Sequence, residues 1–233
     1  MKYFISAIFA GMMISFGGIV YLSCLSSQFY GSVIGSFLFS LGLLTVVARG
    51  YDLYTGKIGY LSINFNAEEY APTNLAKNLF YYPIIILGNF VGTAIIGYAF
   101  RATRSFPKDI PSLLSEAAQS VSKYFHASKG DESFTRLDLI VNAKLNDTPL
   151  SIFLLACACG VVMYLAVDGY KKTKSWLFVI LPVMVFILCG FEHCVANMFY
   201  FCASDCWSLH AVYYLLIMIA GNAVGAIAFN LKK

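Results

Sequence analysis

Two stretches of this chain, residues 3–23 and residues 152–167, carry no charged side chain at all. A helix needs about 20 mainly apolar residues to cross about 30 Å of hydrocarbon, and both runs approach that length. The composition agrees: 59% of the 233 residues are hydrophobic and mean hydropathy is +0.72. Charged residues make up only 12%, about half the share usual in a soluble domain. The fold class expected is therefore all-α integral membrane, with the lipid bilayer as solvent. A net charge of +4 divided among loops gives no patch for nucleic acid, so no nucleic-acid partner is expected.

The first residues, Lys2 and an apolar run ending in Leu22-Ser23-Cys24, have the outline of a cleaved leader. The run exceeds a leader's apolar core of roughly 7–15 residues and further spans follow, so it reads as a membrane helix. The seven cysteines lack zinc-ligand spacing and read mainly as small apolar fillers. Cys202 and Cys206, four apart near a loop, are candidates for a disulfide if that loop faces an oxidising compartment. No metal or other cofactor is expected.

Apolar runs between polar breaks place six spans near residues 3–24, 31–48, 75–100, 148–168, 175–189 and 208–230. Residues 101–147 form the only long polar segment, within which residues 113–125 have the spacing of a helix lying along the membrane surface. The two halves echo one another. Gly88-Asn89-Phe90-Val91-Gly92 in the third span returns as Gly221-Asn222-Ala223-Val224-Gly225 in the sixth, and Gly50-Tyr51-Asp52 after the second as Gly190-Phe191-Glu192 after the fifth. These echoes predict one transmembrane domain over 1–233, with repeat one at about 1–100, a polar connection at about 101–147 and repeat two at about 148–233. Three spans per repeat, an odd number, invert the second copy in the membrane, an aquaporin-like arrangement. Inverted repeats place a solute path near mid-membrane, where paired helices are interrupted. The interruptions are expected at residues 49–56 and 189–193, where charges and glycines enter apolar sequence.

An ionisable group within a span is costly and is a functional candidate by default. Glu192 and His193 lead on that ground. The plainer alternatives are that Glu192 pairs with Arg49 or a helix end, and that His193 caps a neighbour. Asn197, four residues on, shares a helical face with His193 and is placed to orient the ring. Arg49 and Asp52 read as holding the first break together. Phe39 and Leu43, four apart on one face, and Phe186, seven before His193, are candidates for apolar pore constrictions, with ordinary helix packing as the alternative. Gly31/Gly35, Gly88/Gly92 and Gly221/Gly225 have the small-xxx-small spacing of close helix contacts.

Gly190-Phe191-Glu192-His193 with Ala196-Asn197-Met198, Phe39-Ser40-Leu41-Gly42-Leu43, Asp52-Leu53-Tyr54-Thr55-Gly56 and the Gly-Asn pairs resemble the formate/nitrite transporter family of pentameric anion channels, over nearly the whole chain. The resemblance implies a homopentamer in which each subunit has its own pore for small monovalent anions such as formate, nitrite, lactate or hydrosulfide. It further implies that His193 lies between two apolar constrictions, Phe39 and Leu43 on one side and Phe186 among those on the other. Thr55 would contact His193, and Lys144 would draw anions toward the pore. A cell-membrane location with both termini cytoplasmic follows from the resemblance alone, because basic residues divide almost evenly between the two sides.

A bare anion between apolar rings meets a steep desolvation barrier that its conjugate acid does not. Passage assisted by protonation near His193 is therefore expected. Some features depart from the family. Gly160 stands where members carry a pore-facing asparagine, and Leu145-Asn146-Asp147-Thr148 replaces a histidine-bearing motif after Lys144. The chain enters apolar sequence almost at once, so gating by an N-terminal helix is not expected. A neutral small-solute channel is the alternative, though the asparagine-proline pairs of such channels are absent. A membrane-embedded enzyme is not expected, since His126, His193 and His210 are widely spaced and no paired-carboxylate motif occurs.

Overall fold

The computed structural model describes residues 1–25, 31–61, 72–105 and 135–231. The expected surface helix at 113–125 and His126 lie outside the described residues. Every regular element among the described residues is helical. In chain order these are α1 (Lys2–Cys24), α2 (Gly31–Arg49), α3 (Tyr54–Lys57) with a 3₁₀ turn at Ile58–Tyr60, α4 (Pro72–Arg101), α5 (Arg136–Leu145), α6 (Pro149–Thr173), α7 (Leu177–Leu188), α8 (Cys194–Ser204) and α9 (Leu209–Asn230).

Five of these helices are long and apolar enough to cross a membrane: α1, α2, the Phe80–Arg101 part of α4, α6 and α9. Their outward faces are apolar, with Leu41, Leu154 and Leu216 each more than half exposed, which suits lipid rather than water. The span expected at 175–189 is corrected. Its helix α7 has 12 residues, about 18 Å at 1.5 Å per residue, and does not cross by itself. The chain breaks after it and resumes as α8, an 11-residue helix whose side chains are all buried.

Both breaks begin in the same way. Gly50 and Gly190 take φ of +69° and +67°, left-handed backbone that glycine adopts without steric cost. The next amide then reaches back five residues, Tyr51 N–H to the Val46 carbonyl at 2.9 Å and Phe191 N–H to the Phe186 carbonyl at 2.8 Å. This is a Schellman C-cap, which satisfies the last carbonyls of α2 and of α7. Elsewhere Thr135 with Asp138 forms a capping box on α5, and the Thr148 and Ser208 hydroxyls cap α6 and α9.

The glycine pairs pack helices at backbone distance. A Cβ on Gly88 or Gly92 would collide with α1 around Ala7 and Ile8, and one on Gly221 or Gly225 with α6 around Ala156 and Cys157. From Gly88 to Gly92 the contact moves from the Phe4 to the Ile8 carbonyl, four residues along α1, so those helices run parallel, and α9 runs parallel to α6 in the same way, from the Phe153 to the Cys157 carbonyl. Asn230, at the end of α9, donates to the Gly59 carbonyl and accepts from the Tyr164 hydroxyl, which ties the end of α9 to the region of the first break.

One side chain per half stitches each break to its neighbours. Asn89 donates through Nδ2 to the carbonyls of Ala7 and Asp52 at 2.8 and 2.9 Å, and its Oδ1 accepts from Tyr54 N–H at 2.9 Å. Asn222 does the same with Ala156, Glu192 and Cys194 at 2.8, 2.8 and 2.9 Å. Replacing Asn222 by alanine orphans the Glu192 carbonyl and the Cys194 amide, at about 1–3 kcal/mol for each buried group. Thermal unfolding in detergent followed by circular dichroism should show a melting temperature lowered by several degrees for Asn222→Ala and for Asn89→Ala. Unchanged melting would mean that the breaks are held by something else.

Candidate functional site

His193 is built by the second break. It occupies the N-cap of α8 with extended backbone, φ −94° and ψ 109°, and its Nδ1 accepts from Ala196 N–H at 3.0 Å. A ring nitrogen that accepts carries no proton, so the neutral ring holds its hydrogen on Nε2, a tautomer assigned from the hydrogen bonds. Nε2 lies 2.8 Å from Thr55 Oγ1 and donates to it. Thr55 is presented by α3, just past the first break, so the two breaks meet in a single histidine–threonine contact, with both residues buried.

Glu192 does not pair with Arg49, which is exposed at the end of α2. Its Oε2 accepts from Lys144 Nζ at 2.7 Å and from Asn197 Nδ2 at 2.6 Å. The pair is largely withdrawn from solvent, with side chains 14% and 5% exposed, so each charge depends on the other for compensation. Asn197 does not orient the imidazole. The helix turn carries its amide to the Glu192 carboxylate and to Met218 Sδ at 3.1 Å instead. In the first break Asp52 takes a matching structural role, bound by Lys57 at 3.0 Å and by the Tyr81 hydroxyl at 3.0 Å.

Aromatic rings close the site. Phe186 lies over His193 with centroids 5.5 Å apart, and Phe39 meets Phe186 edge-on at 5.6 Å. Phe39 and Phe186 are thus in direct contact with each other. Leu43 is buried one turn along α2 from Phe39.

A cavity of about 350 Å³ brings together Lys144, Phe186, Glu192, His193 and Asn197, with Asp147 and Tyr200 at its walls. Thr55, Phe39 and Leu43 stand outside its lining. Gly160 faces away from it, and a Cβ there would collide with the Asn222 carbonyl. The position serves the contact of α6 with α9 and has no room for an asparagine. Cys202 and Cys206 are buried free thiols, so the disulfide expected between them is absent.

Other contributors escaped the sequence reading. His210 Nε2 lies 2.8 Å from the Leu145 carbonyl and the Tyr214 hydroxyl donates to the Asp147 carbonyl at 2.6 Å, so α9 grips the chain directly after Lys144. Asn89 and Asn222 were visible as Gly-Asn repeats, but their spacing pointed to glycine packing and gave no hint that the amides cap the breaks. A polar amide repeated inside two apolar helices was the available signal.

The sequence profile of the family described as formate/nitrite transporter matches residues 1–231. The chain is 27% identical over 205 residues to formate channel FocA of Haemophilus influenzae, covering 84% of this chain and 64% of that one. It is 25% identical over 233 residues to formate channel BtFdhC of Bacillus thuringiensis, covering 94% and 80%. The chain therefore spans a little under two thirds of the Haemophilus relative's length. Among solved structures it is similar to a pentameric formate channel with formate bound, at TM-score 0.73 and 24% identity over 98% of this chain and 93% of that one. It also resembles an FNT family ion channel at TM-score 0.75. With the profile running from the first helix to the end of α9, the chain belongs to the formate/nitrite transporter family.

Proposed function

We propose that this protein is a membrane channel for small monovalent anions such as formate, nitrite, lactate or hydrosulfide, with His193 on the path. The observation that carries this reading is the placement of a buried, neutral-tautomer histidine beside an ion pair, at the wall of a cavity and under an aromatic pair. Family membership and the names of the relatives support the substrate class. In this reading α7 and α8 together make the sixth crossing, both termini lie on the cytoplasmic side of the cell membrane, and five copies assemble with one pore each.

An anion reaching the cavity meets Lys144, whose charge is already answered by Glu192 at 2.7 Å. It therefore competes with a tethered carboxylate, and occupancy near Lys144 is shallow enough to allow release. Beyond it lie His193 and the Phe39–Phe186 pair, where a bare charge loses its hydration and finds no compensating ion. Proton uptake from solvent, either directly or from a His193 ring that solvent has first protonated at Nδ1 and that returns to the neutral form on giving up its Nε2 proton, lets the solute cross as a neutral acid. Afterwards the proton is released on the far side.

Influx of formate, nitrite, lactate and hydrosulfide into liposomes at two pH values tests this directly. For a carboxylate well above its acid's pKa, the neutral fraction rises about tenfold for each unit of falling pH, and influx should climb with it until another step limits. His193→Asn should flatten that dependence. A pH profile identical to the wild type's removes His193 from the proton path, and no influx of any anion by folded protein sinks the channel reading.

The ion pair gives a second prediction. Removing one partner of a buried pair costs about 3–5 kcal/mol, because the other charge is left uncompensated. Lys144→Gln should lower both thermal stability and formate influx, and the double change Lys144→Gln with Glu192→Gln should recover stability but not influx. Recovery of both would show that Lys144 serves the fold alone.

A further inference from the structure

A second cavity, of about 50 Å³, opens where α2 gives way to α3, lined by Val46, Val47, Tyr51, Lys57, Val167 and Lys171 among others. The first cavity touches Asp147 and Leu155 near the start of α6, whereas this one touches Val167 and Lys171 near its end. Leu155 and Val167 are 12 residues apart, about 18 Å along the helix, so the cavities lie toward opposite ends of α6.

The charges around it do not cancel. Asp52 is bound by Lys57 at 3.0 Å and Asp168 by Lys172 at 2.6 Å. Tyr81 and Tyr60 also direct hydroxyls at these two carboxylates. Lys171 instead sets its ammonium 4.0 Å from the centre of the Tyr60 ring. Among the described residues Lys57, Lys171, Lys172 and Lys174 stand against Asp52 and Asp168, so positive charge is in excess, and Lys171 brings part of it to the cavity with an aromatic ring behind it. The two breaks differ on this point. Each break acid binds the residue five further on, but that residue is Asn197 after Glu192 and Lys57 after Asp52. The first break thus carries its lysine within itself, whereas the second takes its lysine from α5.

We propose that this cavity is a second anion site, holding a monovalent oxyanion of about three heavy atoms between Lys57 and Lys171. A water needs about 10–15 Å³ of such space, so 50 Å³ takes roughly three or four water-sized groups, which suits formate or nitrite and excludes a larger hydroxy acid from full burial. Lys57 turns from Asp52 toward the ligand, and Lys171 supplies the excess positive charge. The physiological meaning of the site rests on the anion-channel reading, since it would load anions at the mouth away from Lys144.

Competitive acetylation of lysines in the full chain tests it without any flux. The protein is placed in nanodiscs of zwitterionic lipid and treated with an amine-acetylating reagent in sodium formate, or in sodium gluconate of equal ionic strength, and modified peptides are quantified by mass spectrometry. At formate about three times its Kd, the rates at Lys57 and Lys171 should fall about fourfold, the mass-action factor 1 + [L]/Kd. Lys172, exposed on the same helix, is the internal control and should not change. Lys171→Gln should abolish the protection of Lys57. Equal rates in formate and gluconate across a formate titration overturn the site, as does protection that appears only in anionic lipid, which would assign the lysines to headgroups. Formate influx in liposomes without protection removes this site and keeps the channel reading; protection without influx does the reverse.

Discussion

A chain interrupted inside an apolar environment must find partners for every backbone group that the interruption frees. Water is not there to supply them, and each orphan costs as much as a strong interaction gains. Here the solution is one asparagine per half, Asn89 and Asn222, each giving one donor and its acceptor to the break beside it and the other donor to the neighbouring helix, α1 or α6. The glycines flanking each asparagine bring α4 onto α1 and α9 onto α6 at backbone distance, which is what lets so short an amide reach. The packing glycines and the stitching amides are therefore one device used twice.

On that repeated frame the site itself is not repeated. The amides held by the two asparagines, Tyr54 and Cys194, are equivalent, so His193 corresponds to Leu53 and Thr55 to Val195. One half contributes the imidazole and the other the hydroxyl that receives its proton. The two breaks meet with complementary chemistry on the two sides. The acids Asp52 and Glu192 persist in both because each anchors its own break, while their cations come from different places: Lys57 from within the break, Lys144 from α5.

The buried ion pair and the buried histidine differ in how they tolerate a low dielectric. Lys144 and Glu192 remain charged because each compensates the other and Asn197 adds a hydrogen bond. Among the described residues His193 meets an amide, a hydroxyl and an aromatic ring, and these suit the neutral imidazole.

The long apolar helices and the positions of both breaks were determined by the sequence, because charge-free runs and the glycines that end them act locally and need no partner to be recognised. The short lengths of α7 and α8 were not. Nor was what Glu192 and Asn197 bind, since their partners Lys144 and Met218 are remote along the chain, on α5 and α9, and helical spacing could offer Asn197 only the His193 ring. Phe39 and Phe186 likewise became a single pair only when α2 and α7 packed together, and Gly160 became a packing position only once α9 lay against it. Periodicity tells which side of a helix is apolar. Which side chains then meet depends on how the breaks turn the chain in three dimensions, and only the tertiary structure decided that.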